Sequence, residues 1–245
     1  MTKKIFKWYE VPDYLKGILV GWLLGDASLD RDARTDPINK KLAPPTTCRL
    51  RILQSEKQHE YVMEKYKLLK EITPTPPKLY DPTNPDSRTG KKYVKSYFNT
   101  TQEPCFLYYF KAFYVETTTE SGDIKYVKRV PPNIGELLTP EGIAHWFMDD
   151  GSAKWHGHSN AIRFSTDCFS KEDIQLLQDV LREKYQLETS AVAKRKGWNI
   201  ETTSAGYDII KKLIYPHLYP SMMYKFPGAA DIRLEEETDE IDDDK

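Results

Sequence analysis

A chain that writes the same short phrase twice is constrained to fold as two related halves. Residues 19–27 read Leu-Val-Gly-Trp-Leu-Leu-Gly-Asp-Ala and residues 143–151 read Ile-Ala-His-Trp-Phe-Met-Asp-Asp-Gly. In each copy an apolar helical run ends in a carboxylate followed by a very small residue. The two carboxylates, Asp26 and Asp150, stand 124 positions apart in a chain of 245. Acid at the end of two matched helices points to two symmetry-related metal sites, and so to a reaction carried out twice.

The same order of periodicities recurs around each phrase. Spacing predicts apolar helices over 13–25 and 139–150. Thr139, Pro140 and Glu141 start the second as N-cap, first-turn proline and first-turn acid. Strands are expected at 48–54 and 161–166, then amphipathic helices over 56–70 and 170–185. The latter opens with Ser170 and Asp173 in a capping-box pattern. Strand pairs follow near 78–80 with 92–99 and near 189–194 with 198–203, and short helices close the halves at 105–114 and 205–215. The fold class is α/β in the α+β sense, an α-β-β-α-β-β-α unit used twice. The expected halves are 1–125 and 139–234, joined by a linker at 126–138 within the polar, turn-rich stretch 116–138, with an acidic tail at 235–245.

Composition narrows the class. With 39% hydrophobic and 12% aromatic residues the chain is neither disordered nor fibrous. No apolar run approaches a membrane span and the start lacks an apolar signal core, so a soluble, intracellular protein is expected. The net charge of −1 conceals an asymmetry: 235–245 takes eight of the 37 acids and one of the 36 bases, leaving an excess of about six positive charges on the rest. A basic body suits a polyanionic partner. The tail reads either as a solubilising end or as a nucleic-acid mimic. Cys48, Cys105 and Cys168 are widely spaced and read as buried free thiols rather than a disulfide or zinc framework. His156 and His158 lack the further ligands that zinc requires and read as a polar loop; His145 is expected to pack inside its helix. No Gly-rich phosphate loop of the nucleotide-binding kinds is present.

Strand alternation supplies a candidate binding face. Val94, Ser96 and Phe98 share one side, while Tyr93, Lys95, Tyr97 and Asn99 share the other; Thr47, Arg49 and Arg51 align in the same way. An antiparallel sheet covered by helices on one side leaves such a face bare. A solvated polar surface is the plain alternative for any single strand.

Carboxylates at a helix C-terminus oppose its dipole, at about 0.3–1 kcal/mol each. Here that happens twice, with Asp149 beside Asp150. A divalent cation turns the cost into attraction, because hard cations favour carboxylate and carbonyl oxygens. Gly21, Gly25, Ala27 and Ala144 are small enough to let two such helices pack closely, bringing the acids to one seam for in-line phosphoryl displacement.

These phrases resemble the two signature helices of the LAGLIDADG homing endonucleases, the second in the Trp-Phe-Met-Asp-Asp-Gly form of single-chain, intron-encoded members. The resemblance covers about 10–230, including the closing Pro-Ser-Met-Met-Tyr-Lys-Phe-Pro at 220–227. It implies a monomer of two pseudo-symmetric halves whose sheets form a DNA-binding saddle. It implies cleavage of both strands of a long, pseudo-palindromic double-stranded target by Mg²⁺-dependent hydrolysis, with Mn²⁺ as a substitute and Ca²⁺ supporting binding without cleavage. Asp26 and Asp150 are implied as metal ligands, with the carbonyls of Gly25 and Asp149 completing coordination. Lys128 and Lys225 are implied beside the scissile phosphates, and Gln54 and Asp167 in the water network. Base reading is expected from Arg49, Arg51, Tyr93, Lys95, Tyr97, Arg163, Lys194, Lys196 and Asn199. The same scaffold also serves maturases acting on intron RNA and inactive DNA-binding proteins, which remain the alternatives. An organellar or prokaryotic setting is the family-level expectation.

Overall fold

The computed structural model describes residues 8–34, 43–87, 89–155, 157–195 and 197–228. His156, Lys196 and the acidic tail lie outside the described residues. The chain divides into two compact units, Met1–Pro132 and Asn133–Lys245. No helix among the described residues is long and apolar enough to cross a membrane.

The first unit runs α1 (Asp13–Leu24), β1 (Ser28–Arg31), β2 (Cys48–Ser55), α2 (His59–Leu69), β3 (Lys78–Tyr80), β4 (Lys95–Asn99), α3 (Phe106–Phe113), β5 (Tyr114–Thr118) and β6 (Ile124–Lys128). The second runs α4 (Ile134–Leu137), α5 (Pro140–Asp150), β7 (Gly151–Trp155), β8 (Ser159–Ser165), α6 (Lys171–Tyr185), β9 (Thr189–Lys194), β10 (Gly197–Thr202) and α7 (Tyr207–Ile214), then 3₁₀ turns at Tyr215–His217 and Pro220–Lys225. Each unit holds one four-stranded antiparallel sheet of the same strand order, β1-β2-β4-β3 and β7-β8-β10-β9.

The signature helices are buried all round, as a helix with no polar face must be. Gly17 to Leu24 of α1 and Gly142 to Asp149 of α5 are all buried. Trp146 stacks on Phe164 at 4.1 Å, and Phe147 meets Phe164 and Phe226 edge-on at 6.0 Å. Alternation in β2 sends Cys48, Leu50, Ile52 and Gln54 inward and leaves Arg49, Arg51 and Leu53 on the open side. Helices α2 and α3 lie against the inner side of that sheet, as α5 and α6 do in the second unit. Ser170 and Asp173 form the expected reciprocal capping box of α6.

Backbone register aligns the units residue by residue. Ser28 pairs with Arg51 and Ser152 with Arg163, two residues after Asp26 and Asp150 respectively. Arg51 therefore matches Arg163, Asn99 matches Glu201, and Gln54 matches Thr166.

Three expectations are corrected. Strands β1 and β7, which begin at or just after the end of each signature phrase, lie outside the expected strands, because strands this short carry little period. Within the linker expected at 126–138, residues 126–128 complete β6 and Ile134–Leu137 form α4. The β5–β6 hairpin carries polar residues on both faces, so it has no alternating pattern. Aromatic packing at its base holds it, with Phe110 stacked on Tyr114 at 4.9 Å and tilted on Tyr126 at 5.1 Å. Of the three thiols Cys48 and Cys105 are buried, and burial pushes both up to about 12, but Cys168 is exposed in the turn after β8.

Candidate active site

In the first unit α1 stops where the Gly25 N–H returns to the Gly21 carbonyl, 3.1 Å away, and Asp26 emerges exposed. Two side chains from distant segments converge on this end. Gln54, only 3% exposed, donates its Nε2–H to Asp26 Oδ2 at 3.0 Å. Lys128 donates its Nζ–H to the carbonyls of Gly25 at 3.1 Å and Ala27 at 2.9 Å. The hairpin that carries Lys128 is anchored along the free edge of β1. Tyr114, which pairs with Lys128 across the hairpin, accepts from the Leu29 N–H at 3.0 Å. Arg31 donates to the Tyr126 hydroxyl at 3.2 Å, and that hydroxyl donates to Glu116 at 2.9 Å.

The second unit repeats the arrangement with different parts. Thr139 caps α5 by accepting from the Gly142 N–H at 3.1 Å. At the other end Asp149 is buried and Asp150 half-buried. Lys225 donates to the carbonyls of Met148 at 2.6 Å and Asp149 at 2.8 Å. It comes from the 3₁₀ turn Pro220–Lys225 rather than from a hairpin. Gly151 closes the phrase because a Cβ there would overlap the ring and carbonyl oxygen of Phe147. In both units an ammonium thus sits on the negative pole of the signature helix and offsets the cost of the acid beside it.

One of the expected residues stands differently from its assigned place. The residue matching Gln54 is Thr166, not Asp167; Thr166 is buried and gives its hydroxyl to the Trp198 carbonyl at 2.6 Å. Asp167 lies one residue further, exposed in the turn. The turn after β8 hides this one-residue shift from sequence inspection, whereas strand pairing exposes it. The carbonyls of Gly25 and Asp149 each accept from a lysine.

The open faces of the sheets carry most of the expected readers. Arg51 is exposed, and Arg49, Lys95, Tyr97 and Asn99 are half-exposed on one face. Tyr93 is 44% exposed but precedes β4 rather than belonging to it. A cleft of about 310 Å³ on this unit is lined by Arg49, Lys78, Tyr97 and Asn99 together with Pro74 and Pro76. On the second unit a cleft of about 480 Å³ gathers Ser152, Arg163, Ser165, Asp167, Lys194, Arg195 and Asn199. Asn199 is only 5% exposed there. Sequence reading missed Lys78 and Arg195 at these clefts. It also missed Asp30 and Glu201, acids that sit among the cations and that only cross-strand pairing reveals. His145 is buried, with its ring edge-on to Tyr219 at 5.7 Å.

Comparison with known proteins places the chain in one family. The profile of the LAGLIDADG DNA endonuclease family matches residues 16–210. The DNA endonuclease I-ChuI of Chlamydomonas applanata is 30% identical over 220 residues, 86% of this chain and 93% of its own. The cytochrome b mRNA maturase bI2 of Saccharomyces cerevisiae is 31% identical over 147 residues, 57% of this chain but a third of the maturase, 33%. The homing endonuclease I-WcaI, solved bound to its DNA recognition sequence, superposes with a TM-score of 0.71 at 23% identity, over 89% of this chain and 88% of that one. A duplicated unit with an acid and a lysine at each signature helix end defines a two-domain homing endonuclease scaffold. The chain belongs to the LAGLIDADG DNA endonuclease family.

Proposed function

We propose that the protein is a site-specific homing endonuclease that hydrolyses both strands of a long, pseudo-palindromic DNA target with Mg²⁺. The observation that carries this reading is the repeated pairing of a helix-end carboxylate with a lysine docked on the last carbonyls, Asp26 with Lys128 and Asp150 with Lys225. The donors at each helix end are all oxygen, carboxylate and carbonyl. Such a set suits Mg²⁺, which takes one or two carboxylates and fills its other positions with water and phosphate. Asp26 and Asp150 would each hold an ion, whose charge would stabilise a phosphate and lower the pKa of a bound water.

The remaining work falls to the chain's own groups. Gln54 fixes one oxygen of Asp26 and so sets the direction of the other. Lys128 and Lys225 supply positive charge where a phosphate gains negative charge. Water is the nucleophile, and no covalent intermediate on the protein is needed. The sheet faces read bases in the major groove, arginine and lysine with guanine and amides with adenine.

Incubation with a randomised duplex library in Mg²⁺, in Ca²⁺ and with chelator tests this. Cleavage of a narrow sequence class in Mg²⁺ alone is expected. Asp26→Asn and Asp150→Asn should each abolish double-strand breaks; a variant that still makes them at the unaltered rate refutes the metal assignment. The similarity to the bI2 maturase supports a second reading, in which the chain binds intron RNA; an organellar or prokaryotic intron is the expected setting for either. Retained nucleic-acid binding without cleavage in any metal would favour the RNA reading.

A further inference from the structure

The open face of each sheet carries one acid that holds two cations. In the first unit Asp30, on β1, faces Arg49 directly across the β1–β2 pair. Its Oδ2 accepts from Arg49 Nη2 at 3.1 Å and Nε at 3.4 Å, and from Arg51 Nη1 at 3.2 Å. In the second unit Glu201, on β10, faces Arg163 across the β8–β10 pair. It accepts from Arg163 Nε at 3.0 Å and pairs with Lys154 Nζ at 2.7 Å.

Duplication alone does not account for this likeness. Register matches Asp30 with Lys154 and Asn99 with Glu201, so the acid sits on different strands in the two units. Only the outcome is shared: one carboxylate, two cations, the open face. Nor is stability a sufficient reason in the first unit, where the Asp30, Arg49 and Arg51 side chains remain 32%, 42% and 47% exposed. Ion pairs so exposed stabilise a fold little.

We propose that Asp30 and Glu201 are specificity-determining positioning residues, Asp30 holding Arg49 and Arg51 and Glu201 holding Arg163 in the one orientation that meets a guanine edge. This rests on the assignment of the sheet faces to DNA. A guanidinium has five N–H donors, and a guanine takes two. The carboxylate takes Nη1 of Arg51 and Nε of Arg163, and a guanidinium held at one atom has further N–H donors for a base. The carboxylate also cancels a charge that would otherwise attract any phosphate. An arginine so restrained gives up sequence-independent attraction and keeps its base contact, because a free one swings to the nearest phosphate instead.

Asp30→Asn tests this, since its half-exposed pairs leave the fold little affected; Glu201→Gln is the second arm, with thermal melting of both as the folding control. Binding is measured on the selected duplex, on duplexes altered at each guanine, and on random duplex, across a salt series. Asp30→Asn should tighten random-duplex binding at low salt and steepen the salt slope by about one to two units. It should reduce discrimination at one or two guanine positions about tenfold, within the range one bidentate contact supplies. In an Arg49→Ala, Arg51→Ala background the same change should leave discrimination untouched. A loss of discrimination that persists there overturns the proposal, because Asp30 would then read a base itself. Preferences that ignore Asp30→Asn in a chain that binds DNA overturn it too. If Arg49→Ala, Arg51→Ala leaves DNA binding unchanged, the assignment of this face to DNA falls and takes the proposal with it.

Discussion

Gln54 Nε2 lies 3.0 Å from Asp26 Oδ2, and nothing equivalent joins Thr166 to Asp150, because the Thr166 hydroxyl is given to the Trp198 carbonyl. The two halves therefore share a scaffold but use this one matched position differently. An amide that fixes one carboxylate oxygen limits how its acid turns.

The Gln54–Asp26 bond has a kinetic consequence. If each half acts on one DNA strand, Gln54→Ala slows that strand by about 10–100-fold, the usual cost of removing a partner that orients a ligand. Thr166→Val, which alters a strand contact, should change neither strand by as much. Supercoiled plasmid bearing the selected site reads this directly, as accumulated nicked circle with Gln54→Ala and direct linearisation with Thr166→Val.

The lysines at the helix ends act on both folding and cleavage. Lys128→Met and Lys225→Met remove the charge from each helix terminus, and each should lower stability by about 0.3–1 kcal/mol. Cleavage should fall much further, by about 10²–10³-fold, if the ammonium also stabilises a phosphate. Melting temperature and single-turnover rates separate the two. A rate loss no larger than the stability loss explains would leave the lysines as caps alone.

Gly151 gives a steric test. Its Cβ would strike Phe147, so Gly151→Ala should cost about 1–3 kcal/mol, as overpacking does. Ala27 occupies the matching place in the first unit, so Ala27→Gly should be milder. Urea denaturation of the two variants checks the ranking.

Acid stability should depend on Glu201. Burial alone raises its carboxyl, but the hydrogen bond from Lys154 and the charges of Arg163 and Lys154 outweigh burial and hold it below its usual value of 4.5. A group with a depressed folded pKa stabilises above the unfolded value and loses that contribution as pH falls through the folded one. The loss should therefore appear below pH 4.5. Glu201→Gln should be less stable at neutral pH and show a flatter acid limb in melts between pH 3 and 7, a range set by about one unit or more on either side of ordinary carboxylate titration.

Much of this was legible in the chain because it is local. The repeated apolar runs required two buried helices, their last residues placed acid at each end, and alternation in 48–54 and 93–99 separated inner from outer side chains. The capping residues Thr139, Ser170 and Asp173 announced their helices, since caps act within one turn. The resemblance of the two phrases to a nuclease family rested on the same local residues.

What the sequence by itself determined was therefore the periodic skeleton and the acids on it. Only the tertiary structure decided their partners. Lys128 reaches Gly25 from 103 residues away, Gln54 reaches Asp26 from 28, and Glu201 holds Arg163 from 38. Such pairings depend on register, and one residue of slip turns a side chain to the opposite face. That is why Thr166 rather than Asp167 stands opposite the strand position of Gln54. Hydrophobic period sets which side of a strand is buried; backbone hydrogen bonding between strands sets which residue meets which.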